Sequence, residues 1–217
     1  MTLETFHNLP NEKRQRIIDK GIEIFSKFSY TDATTDFITK ESNISKGLLF
    51  HYFGNKKKYY LYLLNYSLEL LTQFESPVES PAEGSFYEIL FAYMDRKMHL
   101  ILQYPNEMHF LNLASRENST QVSGEIQHLI GNYLLTVQNN SNLVFGQAIT
   151  TLNLKKNIDK AILVRGLSTY VNAIINQKLT LYQTNPDIFF ENSHQLKKEI
   201  KMYIDLMLQG VEVTEND

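Results

Sequence analysis

The sequence predicts an all-α protein of about nine helices, and three observations carry that prediction. Glycine and proline are scarce, at 9 and 5 of 217 residues, so long helices meet few breakers. Apolar residues recur at helical spacing along most of the chain. No run of alternating β-branched residues calls for a sheet. A composition of 43% hydrophobic and 21% charged residues is that of an ordinary globular protein.

The elements follow in order. Pro10 opens a helix over about 11–28, where its missing N–H costs little. Ile17, Ile18, Gly21, Ile22, Ile24, Phe25 and Phe28 form its apolar stripe, with Lys13, Arg14, Arg16 and Lys20 on the other side. After the linker SYTDAT, Thr34 caps a helix of about two turns carrying Phe37, Ile38 and Glu41. Ser42-Asn43 ends it, because Asn tolerates the positive φ of a tight turn. Ser45 caps a third helix over 46–53, which Gly54-Asn55 closes. A fourth starts at Lys56 and runs through YYLYLLNYSLELL to about Phe74. The polar stretch SPVESPAEGS over 76–85 is the clearest loop. Further helices are predicted over about 85–103, 106–115, 121–149, 158–178 and 187–209, with a polar gap at Asn139–Asn142 where the seventh could break.

Several function classes fall away. With no cysteine there is no disulfide framework, thiolate nucleophile or Cys-ligated metal. No apolar run approaches the roughly 20 residues that span a bilayer, and the start MTLETFHNLPNEKRQR has no apolar core of signal-peptide length. A cytoplasmic location without a membrane partner is expected. There is no nucleophile elbow, phosphate-cradling glycine loop or paired metal-ligand spacing, and His99 and His109 fall on different predicted helices. The chain is therefore not expected to be an enzyme, and no cofactor or metal is expected.

Charge is unevenly spread. Residues 1–65 hold 10 Lys and Arg against 7 Asp and Glu, and residues 66–217 hold 11 against 17. A basic amino-terminal third on an acidic body fits a nucleic-acid module attached to something else.

The stretch TTDFITKESNISKGLLFHYFGNK, from Thr34 to Lys56, is the most informative. On the third helix Leu49 and Phe53 share a face that can pack on Ile38 and on the first helix. The opposite side carries Lys46, Gly47, Leu48, Phe50, His51 and Tyr52. Gly47 permits close approach, Lys46 can reach a phosphate or a guanine edge, His51 and Tyr52 can donate, and Leu48 can touch a thymine methyl. Thr34, Thr35 and Lys56 stand at helix starts suited to phosphate. This is the arrangement of a helix-turn-helix whose second helix enters the major groove.

Residues 10–64 resemble the DNA-binding domain of TetR-family transcriptional regulators. ISKGLLFHYFGNKKKYY is similar to the family's recognition-helix motif, and IIDKGIEIFSKFSYTDATT to its run into the second helix. The resemblance implies phosphate or base contacts for Thr34, Thr35, Lys46, Gly47, Leu48, Phe50, His51, Tyr52 and Lys56. Four positions depart from the pattern. Phe50 stands where the family usually has Tyr, Asn43 replaces the turn Gly, Thr39 replaces a small Ala, and Asp36 sits where some members place an Arg that reaches a base.

The resemblance also implies two domains: a helix-turn-helix DNA-binding domain over 1–56 and a helical ligand-binding and dimerisation domain over 57–217. The expected function is a ligand-responsive regulator, most often a repressor. It would bind a pseudo-palindromic double-stranded operator as a homodimer and be released by a small molecule. The dimer face would use the last two helices, through Ile162, Gly166, Tyr170 and Ile174 on one and Ile200, Tyr203, Ile204 and Met207 on the other. An effector pocket for an apolar or amphipathic molecule would draw on Phe91, Met94, Met98, Met108, Phe110 and Tyr133, the aromatic and Met lining usual for such sites. The alternative reading is a helical protein-interaction module with no operator-specific DNA binding.

Overall fold

The computed structural model describes residues 3–73, 84–181, 193–209 and 211. Residues 76–83 of the expected loop lie outside them, as do Phe74 and residues 187–192 of the last expected helix. Among the described residues the helices are α1 Leu3–His7, α2 Asn11–Phe25, α3 Thr35–Glu41, α4 Lys46–Phe53, α5 Lys56–Gln73, α6 Phe86–Gln103, α7 Pro105–Ser115, α8 Ser123–Ala148, α9 Lys160–Leu181 and α10 Ser193–Leu208. A 3-10 turn, Ile149–Thr151, follows α8. The all-α expectation holds, and α1 is an element that sequence reasoning missed.

The chain forms two compact units. One holds residues 1–73 and 103–134, the other residues 74–102 and 135–217. The expected division falls at residue 56, whereas the first compact unit holds α1 to α5 together with α7.

In the first unit α2 buries the predicted stripe from Ile17 to Phe25 against α5 and α7. Gly21 marks the crossing of α2 and α5. A Cβ there would stand 2.1 Å from Tyr59 Oη and 2.4 Å from Leu63 Cδ1, so a larger residue would force the helices apart. The Tyr59 hydroxyl donates to the Ile17 carbonyl at 2.7 Å. Burial pushes the pKa of this phenol, and that of Tyr60, well above the usual tyrosine value. Phe25 stacks on Phe110 at 5.6 Å and meets Tyr60 edge-on at 4.7 Å. Phe28, expected at the end of the stripe, lies beyond α2, where it is exposed and meets the Phe37 ring at 5.4 Å.

The short helix α1 is anchored mainly by Phe6. Phe6 is fully buried, with ring centroids 4.8 Å from Phe53, 5.6 Å from Tyr62 and 5.7 Å from Tyr52. Arg14 ties down its end by donating to the His7 carbonyl at 2.7 Å.

The second unit is built from most of α6, the latter part of α8, α9 and α10, around Leu90, Phe145, Leu167, Val171, Ile200 and Ile204. Here α8 runs unbroken through Asn139–Asn142. The polar gap is a hydrogen-bonded seam inside the unit. Ser141 Oγ lies 2.6 Å from Tyr93 Oη and accepts from Asn172 Nδ2 at 3.0 Å. Gln138 Nε2 donates to Ser168 Oγ at 2.9 Å, and Ser168 Oγ donates to Asn142 Oδ1 at 2.6 Å. Buried polar groups with partners of this kind cost the helix little.

Candidate nucleic-acid interface

Two capped helix starts and one tight turn build the site. Thr34 Oγ1 accepts the Phe37 N–H at 3.3 Å, and Ser45 Oγ accepts the Leu48 N–H at 3.1 Å. Each cap satisfies an amide that the helix itself leaves open. Between α3 and α4 Asn43 takes φ 52°, the left-handed turn expected of it, and the Ile44 N–H returns to the Thr39 carbonyl at 3.0 Å. Gly54, at φ 78°, ends α4.

Ile38, Leu49 and Phe53 are buried in one core, as their spacing requires. The outward surface of α4 carries Lys46, Gly47 and Phe50, all exposed, with Leu48 and His51 at its half-buried edges. Thr34 is exposed at the start of α3 and Thr35 half-buried. A Cβ at Gly47 would meet only Ser45 Oγ, at 3.9 Å. Packing within the protein therefore does not demand glycine there, and the missing side chain leaves space on the outside.

Two expected contact residues face inward. Tyr52 is only 6% exposed and packs on Phe6, because α1 covers the side of α4 that a two-helix reading leaves open. Lys56 directs its ammonium to the carbonyls of Tyr30 at 2.7 Å and Ala33 at 3.1 Å, 4.3 Å from the Tyr30 ring centroid. Burial holds its pKa below the usual lysine value. Lys56 thus fastens the segment leading into α3, and Glu117 holds the same segment by accepting the Tyr30 N–H at 2.8 Å. No local sequence signal marks these bonds, since the partners lie 26 and 87 residues apart.

Asp36, in the first turn of α3, accepts from Lys46 Nζ at 2.8 Å. Both side chains are open to solvent, at 78% and 50%.

The residues expected to line a pocket divide between the units. Phe91, Met94 and Met98 belong to the second, Met108, Phe110 and Tyr133 to the first. Phe110 is fully buried in the aromatic core with Phe25 and Tyr60, so its ring holds α7 to α2 and α5. The residues expected at a dimer face also divide. Ile174, Ile200 and Ile204 are buried in the core of the second unit. Ile162, Gly166, Tyr203 and Met207 are exposed and Tyr170 half-buried, its ring 5.5 Å from that of Tyr203. Met202 and Leu206, which sequence reasoning did not select, extend the exposed apolar face of α10.

Residues 17–61 match the model of the tetR family of bacterial regulatory proteins. The chain is 30% identical over 125 residues to IcaR of Staphylococcus aureus strain Newman, the negative transcriptional regulator of the biofilm operon icaADBC. The match takes in 54% of this chain and 62% of that protein, so the chain spans less than two thirds of the curated relatives it matches. Solved structures share the fold, among them the following three. A TetR family transcriptional regulator from Chloroflexus aurantiacus J-10-FL aligns with a TM-score of 0.63 at 22% identity, covering 97% of this chain and 98% of that one. The regulator FadR from Bacillus subtilis, in complex with stearoyl-CoA, gives 0.63 at 16% identity, covering 86% and 96%. NalD, the secondary repressor of the MexAB-OprM multidrug efflux pump in Pseudomonas aeruginosa, gives 0.59 at 15% identity, covering 93% and 97%.

Proposed function

We propose that this chain, whose residues 17–61 match the tetR family of bacterial regulatory proteins, is a transcriptional repressor of that family that binds a pseudo-palindromic operator as a homodimer and leaves it on binding a small molecule. The observation that carries this reading is the outward face of α4: exposed Lys46, Gly47 and Phe50 with half-buried His51 at its edge, following two capped helix starts and lying over a fully buried Leu49. In this reading α4 lies in the major groove, with Thr34 and Thr35 against the backbone. Tyr52 and Lys56 support the face from behind.

A single α4 reads only a few base pairs, so two copies must stand about 34–36 Å apart, or a multiple of that, on one face of the duplex. We assign the second copy to α9 and α10. Ile162 at 60%, Leu206 at 63%, Met202 and Tyr203 leave apolar surface uncovered, a pattern that marks an interaction surface. A Cβ at Gly166 would meet nothing within 4 Å, so the space beside it is free for a helix of the partner. The effector class we assign is apolar or amphipathic. It rests on Phe91, Met94 and Met98 of α6 and on the stearoyl-CoA held by FadR on the same fold. A ligand that prefers the state with misplaced recognition helices lowers operator affinity by its differential affinity for the two states.

The test is in vitro selection from random duplex DNA with the full chain, followed by sedimentation of the protein alone and on the selected site. The expected result is an inverted-repeat motif bound by a dimer, with affinity falling steeply in salt. Salt-sensitive binding without a preferred sequence would overturn the reading.

A further inference from the structure

We propose that Asp36 and Lys46 act as one base-reading unit, a paired acceptor and donor that selects a G·C base pair in each half-site. The inference rests on α4 reading DNA, as proposed above. Lys46 is the first residue of α4 and Asp36 lies in the first turn of α3, so the pair bridges the two helix starts. Lys46 Nζ donates to Asp36 Oδ1 at 2.8 Å, and the side chains remain 50% and 78% exposed, Lys46 next in sequence to the open Gly47. The Asp36 backbone is fixed as well, since Thr39 Oγ1 donates to its carbonyl at 3.1 Å.

The chemistry follows from counting groups. An ammonium has three donors and spends one on Asp36, which leaves two for a guanine O6 and N7. A carboxylate accepts only, and Oδ2 carries no partner from Lys46. Against base edges it can take the amino group of cytosine N4 or adenine N6 but is repelled by thymine O4 and guanine O6. The two free lysine donors beside it decide for G·C, because only guanine offers the adjacent acceptors O6 and N7. Against a phosphate it gains nothing and is repelled. A carboxylate at the start of α3 therefore suits base edges better than backbone, provided a cation beside it offsets its charge, and Lys46 supplies that cation. The pairing also withholds Lys46 from phosphate, so that its charge serves sequence more than general affinity.

Selection with the wild-type chain and with Asp36→Asn, Asp36→Ala and Lys46→Ala tests this, each scored for base preference and for the slope of log affinity against log salt. Both side chains are exposed, and melting temperatures verify that the variants fold. The wild type is expected to select one G·C pair per half-site. Asp36→Ala and Lys46→Ala should each relax that position about 5-fold or more, and Asp36→Asn should move it towards adenine, which an amide recognises. Asp36→Ala should also steepen the salt slope by about 0.9 per freed lysine. If Asp36→Ala strengthens binding to every sequence alike and the selected motif is unchanged, Asp36 is only a repelling charge and the pair reads nothing. If the wild type selects a motif that none of the variants alters, this inference fails while the proposed function stands. If the wild type selects no motif, both fail.

Discussion

The two compact units solve core packing in different ways. The first is closed by aromatic rings around Gly21: Phe25, Tyr59, Tyr60 and Phe110, with one buried tyrosine bond to the Ile17 carbonyl. The second is mainly aliphatic and carries a hydrogen-bonded seam from Tyr93 through Ser141 to Asn172, and from Gln138 through Ser168 to Asn142. Interlocked rings fix one geometry, which suits the unit that holds α4 in place. A polar network inside a helix bundle specifies which faces meet, and it is the part of a core most sensitive to a lost partner. The first unit is thus defined mainly by ring packing and the second by packing plus a hydrogen-bonded seam.

The largest effect should come at Gly21. Gly21→Ala sets a methyl 2.1 Å from Tyr59 Oη and should cost about 3 kcal/mol, at the upper end for overpacking, seen as a fall in Tm of several degrees. Adding Tyr59→Phe removes the clashing oxygen and should restore part of the loss. An unchanged Tm in Gly21→Ala would mean that α2 and α5 do not cross there.

The seam comes next. Ser141→Val leaves the Tyr93 hydroxyl and Asn172 without this partner and should cost about 2 kcal/mol. A variant as stable as the parent would show that the seam does not hold the second unit together.

Lys56 sharpens the contrast between holding and touching. Lys56→Met removes the donor to the Tyr30 and Ala33 carbonyls and should cost about 1–2 kcal/mol in thermal unfolding. A variant with unchanged Tm but a shallower salt slope on DNA would return Lys56 to the phosphate role that the sequence suggests.

Alkali should strain the aromatic core. The folded pKa values of Tyr59 and Tyr60 are raised by burial, so their contribution is intact below the unfolded value of about 10. It is lost as pH rises from there through the folded values, because the unfolded chain ionises first. Chemical denaturation at pH 8 and 11 should show the loss, and Tyr59→Phe should reduce it. Equal stability of the parent at both pH values would contradict the burial of these phenols.

The legible parts of the sequence were those that depend on near neighbours. The α2 stripe from Ile17 to Phe25, the caps Thr34 and Ser45, and the turn at Asn43 are local chemistry, and each stands where the spacing put it, while Phe28, past the helix end, does not. The five residues of α1 are too few for a periodic signal, and with α1 unseen the burial of Tyr52 by Phe6 could not be read. Lys56 is exposed by pattern and turned inward by carbonyls 26 and 23 residues away. At 139–142 periodicity reads polar residues as facing water, whereas Ser141 is fully buried because its partners come from α6 and α9.

The central claim, that the outer face of α4 enters a DNA groove, is tested most directly at Gly47. A Cβ at this position meets nothing in the protein closer than Ser45 Oγ at 3.9 Å and Gly47 is exposed on α4, so Gly47→Leu should fold with a Tm equal to or above that of the parent. On the selected operator, measured by fluorescence anisotropy at fixed salt, the added side chain should abolish specific binding by blocking close approach. Full operator affinity in a well-folded Gly47→Leu protein would contradict the account.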